Sequence, residues 1–530
     1  MYEKKVYQNA VHWILFCIFA VTFIQNRGNA GSKTVMKNAK SMKRLLMLAG
    51  IAICVATTTN AQSNSFRDAF NQFSKGIRKE YDNFRQKIMK EYAEYVRQPW
   101  KEAEEEKPIP RPKEENVPPV VIPVDTVPAP IESKPVVIEE VVEPVVTPEP
   151  QPEPVAPVEE HPVEQVKYLT FNYFGTPMKV RFDEADKLRL MGIKPDDIAQ
   201  AMVKLSSETY DNLIYDCLEL RKTHKLGDWA YLQMLKALAE TLHGKDTNEA
   251  ELLMAYIYIQ SGYKMRLAQD GQHLYMLFSS KHQIFDLPYF TLDDDRYYPM
   301  RKMPSSIHIC AAMFPKEQSL SLYINQPMEL QENNSEARTV TSRDYPDFKA
   351  TVEVNKNLLD FYSTYPTSVF GDDVCTRWAM YANTPMQKKI ADSLYPQLKS
   401  MLQGKGKLEA VEMLLNWVQT GLEYEYDDKV WGGDRAFFAE ETLYYPYCDC
   451  EDRSILFTRL VRDLLGLPCI LVYYPGHLAA AVQFPEQVKG DYIVLNGKQF
   501  VVTDPTYIGA PVGRTMPKMD NASAKVILLQ

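Results

Sequence analysis

The chain has few cysteines and no dense cluster of basic residues, and each shortage excludes a class of protein. Eight cysteines scattered over 530 residues are too few for a scaffold built on disulfides. The formal net charge of −9 is mild, and no run of lysine and arginine indicates nucleic-acid binding. Hydrophobic (45%) and charged (24%) contents are those of a globular protein, and the length allows two or three domains.

Long apolar runs are also scarce, and two short ones lie near the start of the chain. The run Leu45–Val55 follows a basic start and precedes Ala61, which is the layout of a secretory signal peptide. The earlier run, Val11–Ile24, is short for a membrane span. We interpret residues 1–61 as an extension plus a signal peptide, and expect export to the periplasm or cell surface. The alternative is an N-terminal membrane anchor.

Residues 62–101 carry the pattern of an amphipathic helix that ends at Pro99. Its apolar positions are spaced 4-3-4 repeatedly, which keeps them on one face of a nearly straight helix. They are Phe66, Phe70, Phe73, Ile77, Tyr81, Phe84, Ile88, Tyr92 and Tyr95. Two interpretations stay open: the helix packs on its own protein, or residues 65–98 dock on a partner or a second copy.

Proline dominates the next segment, residues 102–166. Sixteen of the chain's 35 prolines fall in 107–166, interleaved with valine and glutamate. Because proline removes backbone donors and fixes φ, we expect an extended spacer without a packed core.

From Lys167 onward the sequence is globular, and its order of elements predicts an α+β protein. Two short strands are expected around Gly175, helices from about 183 to 262, strands over 263–325 and 349–355, and helices over 375–421. We divide this part into a mixed α+β domain, 167–360, and a C-terminal domain, 361–530.

The stretch "YYPYCDCEDRSILFTRLVRDLLGLP" carries the first candidate for chemistry. Its apolar residues recur at helical spacing after Cys450, so Cys450 lies at a helix N-terminus, where free N–H groups stabilise a thiolate and an oxyanion. Cys448 lies in the preceding loop. A disulfide between the two would close a very tight ring, and no second Cys/His cluster supports a metal site. Cys450 is the candidate nucleophile.

A histidine and an aspartate follow on strand-like sequence. His477 opens a strand after the Pro475-Gly476 turn and is the only histidine beyond His308. Asp504 ends another strand, and an aspartate that accepts from one imidazole nitrogen leaves the other nitrogen for the thiol. For Asp504 to reach His477, residues 491–495 must run in the same direction as residues 477–484. A hairpin at Asn496-Gly497 then returns Asp504 to His477.

The motifs "CDCEDRS", "PGHLAAAV" and "VVTDPTY", in this order, resemble those of the transglutaminase-like superfamily of cysteine acyl-transferases and peptidases. The resemblance covers roughly residues 410–510, with a longer insertion between the His and Asp strands than the compact family pattern. It implies a transglutaminase-like (papain-like) fold with the nucleophile helix packed on an antiparallel sheet. It also implies Cys450 as nucleophile, His477 as base and acid, and Asp504 as orienting group.

The resemblance implies an exported enzyme that acts on peptide or glutamine amide bonds through a thioacyl-enzyme. Trp431, Tyr444 and Tyr445, in the acidic and aromatic segment before the nucleophile, are candidate substrate contacts or simply core aromatics. No metal or organic cofactor is expected. The expected partner is a protein or peptide substrate, with a cell-envelope protein as one candidate, and no nucleic acid. The alternative is a non-catalytic envelope scaffold or binding protein that uses the same domain.

An earlier stretch is similar to the one around His477. "GYKMRLAQDGQHLYMLF" and "GLPCILVYYPGHLAAAV" both follow an apolar helix and share the separation between glycine and histidine. In that alignment Asp246 takes the position of Cys450. A second transglutaminase-like fold without a nucleophile would explain this, but the identities are few, and we favour coincidence.

Overall fold

Helices and mainly antiparallel sheets alternate along the chain, so the fold is α+β. The computed structural model describes residues 85–113, 117–123, 131–143, 151–155, 158, 160–161, 165–207 and 210–530. Contacts divide the chain into residues 1–83 and a compact unit, Phe84–Gln530. The predicted signal peptide and the first part of the predicted amphipathic helix therefore lie outside the described residues. Within the described ranges, no helix combines the length and apolarity that a membrane span requires.

The helices are α1 (85–96), α2 (Pro195–Leu205), α3 (Asp211–Thr223), α4 (Asp228–His243), α5 (Asn248–Gln260), α6 (Lys356–Tyr362), α7 (Thr376–Asn383), α8 (Lys388–Leu402), α9 (Lys407–Gly421), α10 (Asp427–Val430), α11 (Ala439–Tyr444) and α12 (Cys450–Leu465). The expected helical regions 183–262 and 375–421 contain α2–α5 and α7–α9.

The strands are β1 (Lys101–Glu104), β2 (Lys134–Pro135), β3 (Glu140–Val142), β4 (Tyr168–Tyr173), β5 (Thr176–Arg181), β6 (Met265–Gln269), β7 (Leu274–Ser279), β8 (His282–Ile284), β9 (Phe290–Leu292), β10 (Asp295–Pro299), β11 (Ser306–Ile309), β12 (Arg338–Thr341), β13 (Lys349–Val352), β14 (Ser368–Phe370), β15 (Glu423–Tyr424), β16 (Tyr447–Cys448), β17 (Cys469–Tyr474), β18 (His477–Gln483), β19 (Asp491–Leu495), β20 (Lys498–Thr503) and β21 (Lys525–Leu528). The expected strand pair around Gly175 is the β4–β5 hairpin, whose turn places Gly175 at φ +70°.

The described part of the amphipathic helix, α1, packs on its own protein. Met89, Tyr92 and Val96 are buried, and the Tyr92 ring contacts that of Phe314. Tyr95 is 58% exposed, so the predicted apolar stripe is wrong at this end. Spacings of three and four residues from Met89 select a neighbouring face of the helix instead. Docking on a partner stays a prediction for the part of the helix outside the described residues.

The Pro-rich segment is extended, but its described parts are not a free spacer, which corrects the expectation from composition. β1 pairs with β11 in antiparallel fashion, β2 pairs with β19 and β3 with β21, both in parallel. Further along, a Cβ on Gly262 would lie 2.1 Å from the Glu153 carbonyl oxygen, so glycine allows the segment to approach there. Proline carries no N–H and so removes only one donor. Lys134 and Val136, on either side of Pro135, donate to the carbonyls of Gly490 and Tyr492.

Two large sheets dominate the structure and share one topology. The seven-stranded sheet has the order β2-β19-β20-β18-β17-β21-β3, and the six-stranded sheet, taken from its other end, is β9-β10-β7-β6-β11-β1. In each sheet a helix is followed by a central hairpin, β6–β7 after α5 or β17–β18 after α12. The next two strands add on one side of the hairpin, and a last strand adds on the other. The two similar stretches therefore occupy the same place in two sheets of the same strand order.

The apolar core is continuous between the two sheets. Its largest cluster extends from α1 and the α2–α5 helices to Ile455 of α12 and to Leu471 and Leu478 of the seven-stranded sheet. A second cluster packs α8, α9 and α12 against the same sheet. Helix α12, which begins at Cys450, is therefore packed between two apolar clusters, which fixes its N-terminus relative to β18. The boundary at 360 remains a sequence-based prediction.

Candidate active site

Cys450 is the first residue of α12 and is buried at the contact between this helix and β18. Its thiol donates to Glu451 Oε2, with Sγ and Oε2 3.3 Å apart. The backbone N–H of Leu478, the residue after His477, also interacts with the sulfur. One turn along the helix, the Ser454 hydroxyl donates to the Leu478 carbonyl at 2.8 Å. The side chains of Cys450 and Ser454 thus connect the first turn of α12 to the start of β18.

The charge around Cys450 differs from the sequence-based expectation. Burial raises the pKa of the thiol well above its ordinary value, and the nearby Glu451 and Asp449 raise it further. The Leu478 N–H lowers it by a smaller amount. The expectation that the helix N-terminus stabilises a thiolate is therefore wrong for this arrangement. Acidic neighbours and burial outweigh the helix dipole, and the resting sulfur is a thiol.

His477 and Asp504 form a buried pair. The distance from His477 Nε2 to Asp504 Oδ2 is 2.9 Å, and the two residues are 1% and 3% exposed. β20 lies between β18 and β19 and is antiparallel to both, so β18 and β19 run in the same direction. This confirms the predicted strand arrangement around the Asn496-Gly497 hairpin, where Asn496 has φ +50° and Gly497 φ +76°.

The hydrogen bond to Asp504 determines which nitrogen of His477 is available. Because Nε2 is bound to the carboxylate, Nδ1 is left, and among described residues this buried atom has no hydrogen-bond partner. The Tyr474 ring lies nearly parallel to the imidazole, with centroids 6.4 Å apart. A neutral imidazole with Nε2–H donated to Asp504 has a free lone pair on Nδ1. That atom can accept a proton. The described hydrogen bond of the Cys450 thiol is to Glu451 rather than to His477.

Gln419 of α9 holds the loop after Asp504, and sequence reasoning missed it. Its Nε2 donates to the carbonyls of Asp504, Tyr507 and Ala510 at 2.9, 2.8 and 3.2 Å, and its Oε1 accepts from the Gly509 N–H at 3.2 Å. No local pattern identifies such a residue, because its partners lie more than eighty positions away along the chain.

The Asp504 carboxylate is oriented on its other side as well. Its Oδ1 accepts from the N–H groups of Thr506 and Tyr507 at 2.8 and 3.2 Å, a turn in which the aspartate side chain replaces a backbone acceptor. This leaves Oδ2 for the imidazole. Asp-Pro at a strand end, weak evidence by itself in the sequence, is thus part of an ordered turn.

Five carboxylates form a cluster beside the N-terminus of α12, and sequence reasoning also missed this cluster. They belong to Asp427, Asp434, Asp449, Glu451 and Asp452. Burial and then Glu451 raise the pKa of Asp427 to about 8, and burial raises that of Asp434 to about 6. The density of acids in "EYEYDD" and "CDCED" was the available signal. In the sequence alone, Glu451 and Asp452 are acids in the first turn of a helix, where the helix dipole favours them.

The predicted substrate contacts lie together next to this cluster. Trp431 contacts Tyr445 with ring centroids 4.7 Å apart, and Tyr444 contacts Tyr445 at 5.1 Å. The Arg435 guanidinium lies over the Trp431 and Tyr445 rings at 4.9 and 5.5 Å. All three predicted aromatics are partly exposed. They therefore form one aromatic surface rather than a closed core.

Cys448 does not share the environment of Cys450. Both are free thiols, and Cys448 Sγ donates to the Glu423 carbonyl at 3.5 Å from the short strand β16. Burial raises the pKa of Cys448, and Arg453 lowers it.

The six-stranded sheet contains a counterpart of the His477 position. Gln269 pairs with Leu274 across its hairpin as Tyr473 pairs with Leu478, so His273, just before Leu274, occupies the place of His477. The first residue of α5 is Asn248, whose Oδ1 accepts the Leu274 N–H at 2.7 Å. Asn248 therefore matches Cys450. This corrects the sequence alignment, which selected Asp246.

The third position has changed as well. Counted from the pairs Phe278↔Tyr298 and Val482↔Val501, Arg301 falls where Asp504 lies. Arg301 donates to Glu251 Oε1 at 2.9 Å and to the Leu274 carbonyl at 2.8 Å. Asparagine and arginine thus stand at the positions that correspond to the Cys450 thiol and the Asp504 carboxylate. They support the fold with a network of hydrogen bonds.

Comparisons with models of protein families, with curated proteins and with solved structures each found no match for this chain. The resemblance to the transglutaminase-like superfamily therefore depends on the three motifs.

Proposed function

We propose that this protein is an exported cysteine enzyme of the transglutaminase-like type, with Cys450 as nucleophile, His477 as general base and acid, and Asp504 as orienting group. The observation that supports the proposal is the buried 2.9 Å contact between His477 Nε2 and Asp504 Oδ2. It is joined to the Cys450 sulfur through the neighbouring Leu478 amide.

The chemistry follows from these positions. The Cys450 proton passes to His477 Nδ1 as the sulfur attacks an amide carbonyl, and Asp504 stabilises the imidazolium that forms. N–H groups at the start of α12 hold the oxyanion. His477 then gives its proton to the leaving amine, which leaves a thioacyl-enzyme. Water or a second amine resolves it, giving hydrolysis or transfer. The surface of Trp431, Tyr444 and Tyr445 would contact the flanking part of a peptide substrate.

Capture of the acyl-enzyme tests the proposal. The full chain is incubated with p-nitrophenyl acetate as an activated acyl donor, quenched in acid, and mapped by peptide mass spectrometry. We expect the added acetyl group on Cys450, with loss of the adduct in Cys450→Ala and retention in Cys448→Ala, the matched control. His477→Ala should slow adduct formation at least about 100-fold. Equal labelling of both cysteines, or labelling unaffected by His477→Ala, would contradict the assignment.

The second candidate function is a non-catalytic scaffold of the cell envelope. The observation in its favour is the Cys450 thiol itself, which is buried, donates to Glu451 and has a raised pKa, so it is not a resting nucleophile. A scaffold gains nothing from an ordered His477–Asp504 pair, whereas an enzyme needs it. Undiminished binding of an envelope partner by Cys450→Ala, together with no acyl adduct in the wild type, would decide for the scaffold.

A further inference from the structure

A polar cavity of about 170 Å³ lies beside the loop that leads into α11. Its wall joins parts of the chain that are distant in sequence: Arg111 of the Pro-rich segment, residues 362–367 at the end of α6, and residues 435–441. Such a junction between separate parts of a fold is a usual place for a ligand. The volume accommodates a carboxylate group with a few water molecules, since each water occupies about 30 Å³.

The chemistry of the wall favours an anion. The described residues that line the cavity include two arginines, Arg111 and Arg435, and three tyrosines, Tyr362, Tyr365 and Tyr381. A guanidinium group presents its N–H donors in a planar fork that matches the two oxygens of a carboxylate, and tyrosine hydroxyls can donate as well. The cavity therefore suits a carboxylate better than a cation or an apolar group.

Protein groups hold both guanidinium groups in place without using all of their donors. Arg435 Nη2 donates to Glu441 Oε1 at 2.6 Å, and Arg111 Nη1 donates to the Asp434 carbonyl at 2.5 Å. Arg111 Nε also pairs with the exposed Asp286. Because a guanidinium has five N–H donors, these bonds leave donors for a ligand. Burial raises the pKa of Glu441 to about 7, so at neutral pH this carboxyl compensates Arg435 only in part.

The cavity borders the candidate active site. The Arg435 guanidinium lies over the rings of Trp431 and Tyr445, so the aromatic surface and the cavity meet at this residue. Phe438 lines the cavity, and the N–H of the preceding Phe437 donates to Asp452 Oδ1 at 2.8 Å, in the first turn of α12. A peptide that lies on the aromatic surface can therefore place one side chain in the cavity.

We propose that this cavity binds the carboxylate side chain of an aspartate or glutamate near the amide bond that Cys450 attacks, with Arg435 and Arg111 as the binding groups. The substrate class is therefore an acidic peptide. That the carboxylate belongs to a substrate rests on the proposed function, whereas binding of a carboxylate in the cavity does not. An inorganic phosphate fits less well, because it carries more charge and Glu441 already lies in the wall.

The experiment is titration of the full chain at pH 7 with N-acetylaspartate α-amide and with the matched neutral compound, N-acetylasparagine α-amide, followed by saturation-transfer NMR. We expect the aspartate compound to bind at least about tenfold more tightly, because it makes charge-assisted hydrogen bonds. Arg435→Gln and Arg111→Gln should each remove most of this difference. The matched control, Lys113→Gln, changes an exposed residue two positions after Arg111 and should leave binding unchanged.

Misfolding is distinguished by the thermal unfolding midpoint of each variant. Arg435→Gln alone leaves the buried Glu441 without its partner, so the double variant Arg435→Gln/Glu441→Gln is included, and it should keep the midpoint of the wild type while the aspartate compound binds weakly. Equal binding of the two compounds by the wild type, or a loss in Lys113→Gln as large as in Arg435→Gln, would overturn the carboxylate site.

Two further measurements separate the parts of the proposal. Inorganic phosphate is the third titrant, and binding of phosphate as tight as that of the aspartate compound would overturn the assignment to a peptide carboxylate. Acetylation of Cys450 by p-nitrophenyl acetate is scored separately in the same samples. An adduct on Cys450 without binding of the aspartate compound overturns only the cavity, whereas binding without any adduct supports the cavity and counts against the enzyme.

Discussion

At the scale of residues, two opposite environments meet at the candidate site. His477 and Asp504 are complementary: one donates, the other accepts, and backbone N–H groups hold the aspartate in place. The Cys450 thiol instead faces Glu451 and Asp449, which oppose its ionisation. The imidazole is therefore ready to accept a proton that the sulfur does not release by itself. Catalysis would require the proton transfer to accompany attack of the sulfur on the carbonyl.

The ionisation of Cys450 gives a first prediction. Because burial, Glu451 and Asp449 raise its pKa, iodoacetamide should label Cys450 slowly at pH 7 in EDTA, and the rate should rise without a plateau through pH 9. Glu451→Gln removes one opposing charge and should increase the rate several-fold at pH 8. Peptide mass mapping measures it, with Cys448 as internal reference. A fast plateau below pH 7 would show an ionised sulfur and contradict this account.

The His477–Asp504 hydrogen bond gives a second prediction. Asparagine at 504 would donate its amide hydrogen to Nε2, which moves the imidazole proton to Nδ1 and removes the acceptor for the thiol proton. We expect Asp504→Asn to slow acetylation of Cys450 at least about 100-fold. The unfolding midpoint should change little, because Thr506 N–H can still be accepted. Asp520→Asn, on an exposed turn, is the control, and equal loss in both variants would refute the tautomer argument.

At the scale of elements, α11 carries a buried acid that makes stability depend on pH. Glu440 is 1% exposed, and burial raises its pKa to about 7 in the folded protein, compared with 4.5 for a free glutamate. A raised pKa means that the folded state favours the protonated form. The protonated Glu440 carboxyl stabilises the fold below about pH 4.5, and this stabilisation is lost as the pH rises through 7. Ionisation of Glu440 in α11 therefore lowers the free energy of unfolding as the pH reaches neutrality.

Glu440→Gln should remove this dependence. Glutamine keeps an oxygen for the Gln387 N–H, which Glu440 accepts at 2.6 Å, and it never ionises. We expect the variant to match the wild type at pH 4 and to be more stable by about 2–3 kcal/mol at pH 8. Urea unfolding at both values measures this, and the exposed Glu336→Gln should show no difference. A constant difference between variant and wild type at all pH values would indicate a packing effect instead.

Elements also show which parts of the site the sequence could predict. The order β19-β20-β18 could be predicted because its signals are local. They are the strand alternation, the Asn496-Gly497 turn and the need to bring Asp504 to His477. The Gln419 contacts and the five-carboxylate cluster join distant segments, and no spacing reveals them. The sequence alignment of the two similar stretches selects the wrong counterpart of Cys450 for a similar reason. α5 is shorter than α12, so a fixed offset selects Asp246 rather than Asn248.

At the scale of the whole molecule, the Pro-rich segment completes both sheets. β1 covers the β11 edge of the six-stranded sheet, and β2 and β3 form the two edges of the seven-stranded sheet that carries His477. Exposed sheet edges pair with other chains, so a proline-containing edge protects against association. Composition alone predicts a spacer. A high proline content shows that the segment has few backbone donors, but it does not show which sheet edge can pair with the segment.

A pair of neighbouring valines tests this role. Val136 is 7% exposed, and its N–H donates to the Tyr492 carbonyl at 2.7 Å, whereas Val137 is 70% exposed. Val136→Asp places a charge in the core and should destabilise the protein by about 2–4 kcal/mol in urea unfolding. Val137→Asp should stay within about 0.5 kcal/mol. Because β2 would detach and free the β19 edge, Val136→Asp should also shift the chain toward larger species in size-exclusion chromatography, while Val137→Asp elutes as the wild type does. Equal stability and equal elution of the two variants would mean that the segment is a free spacer after all.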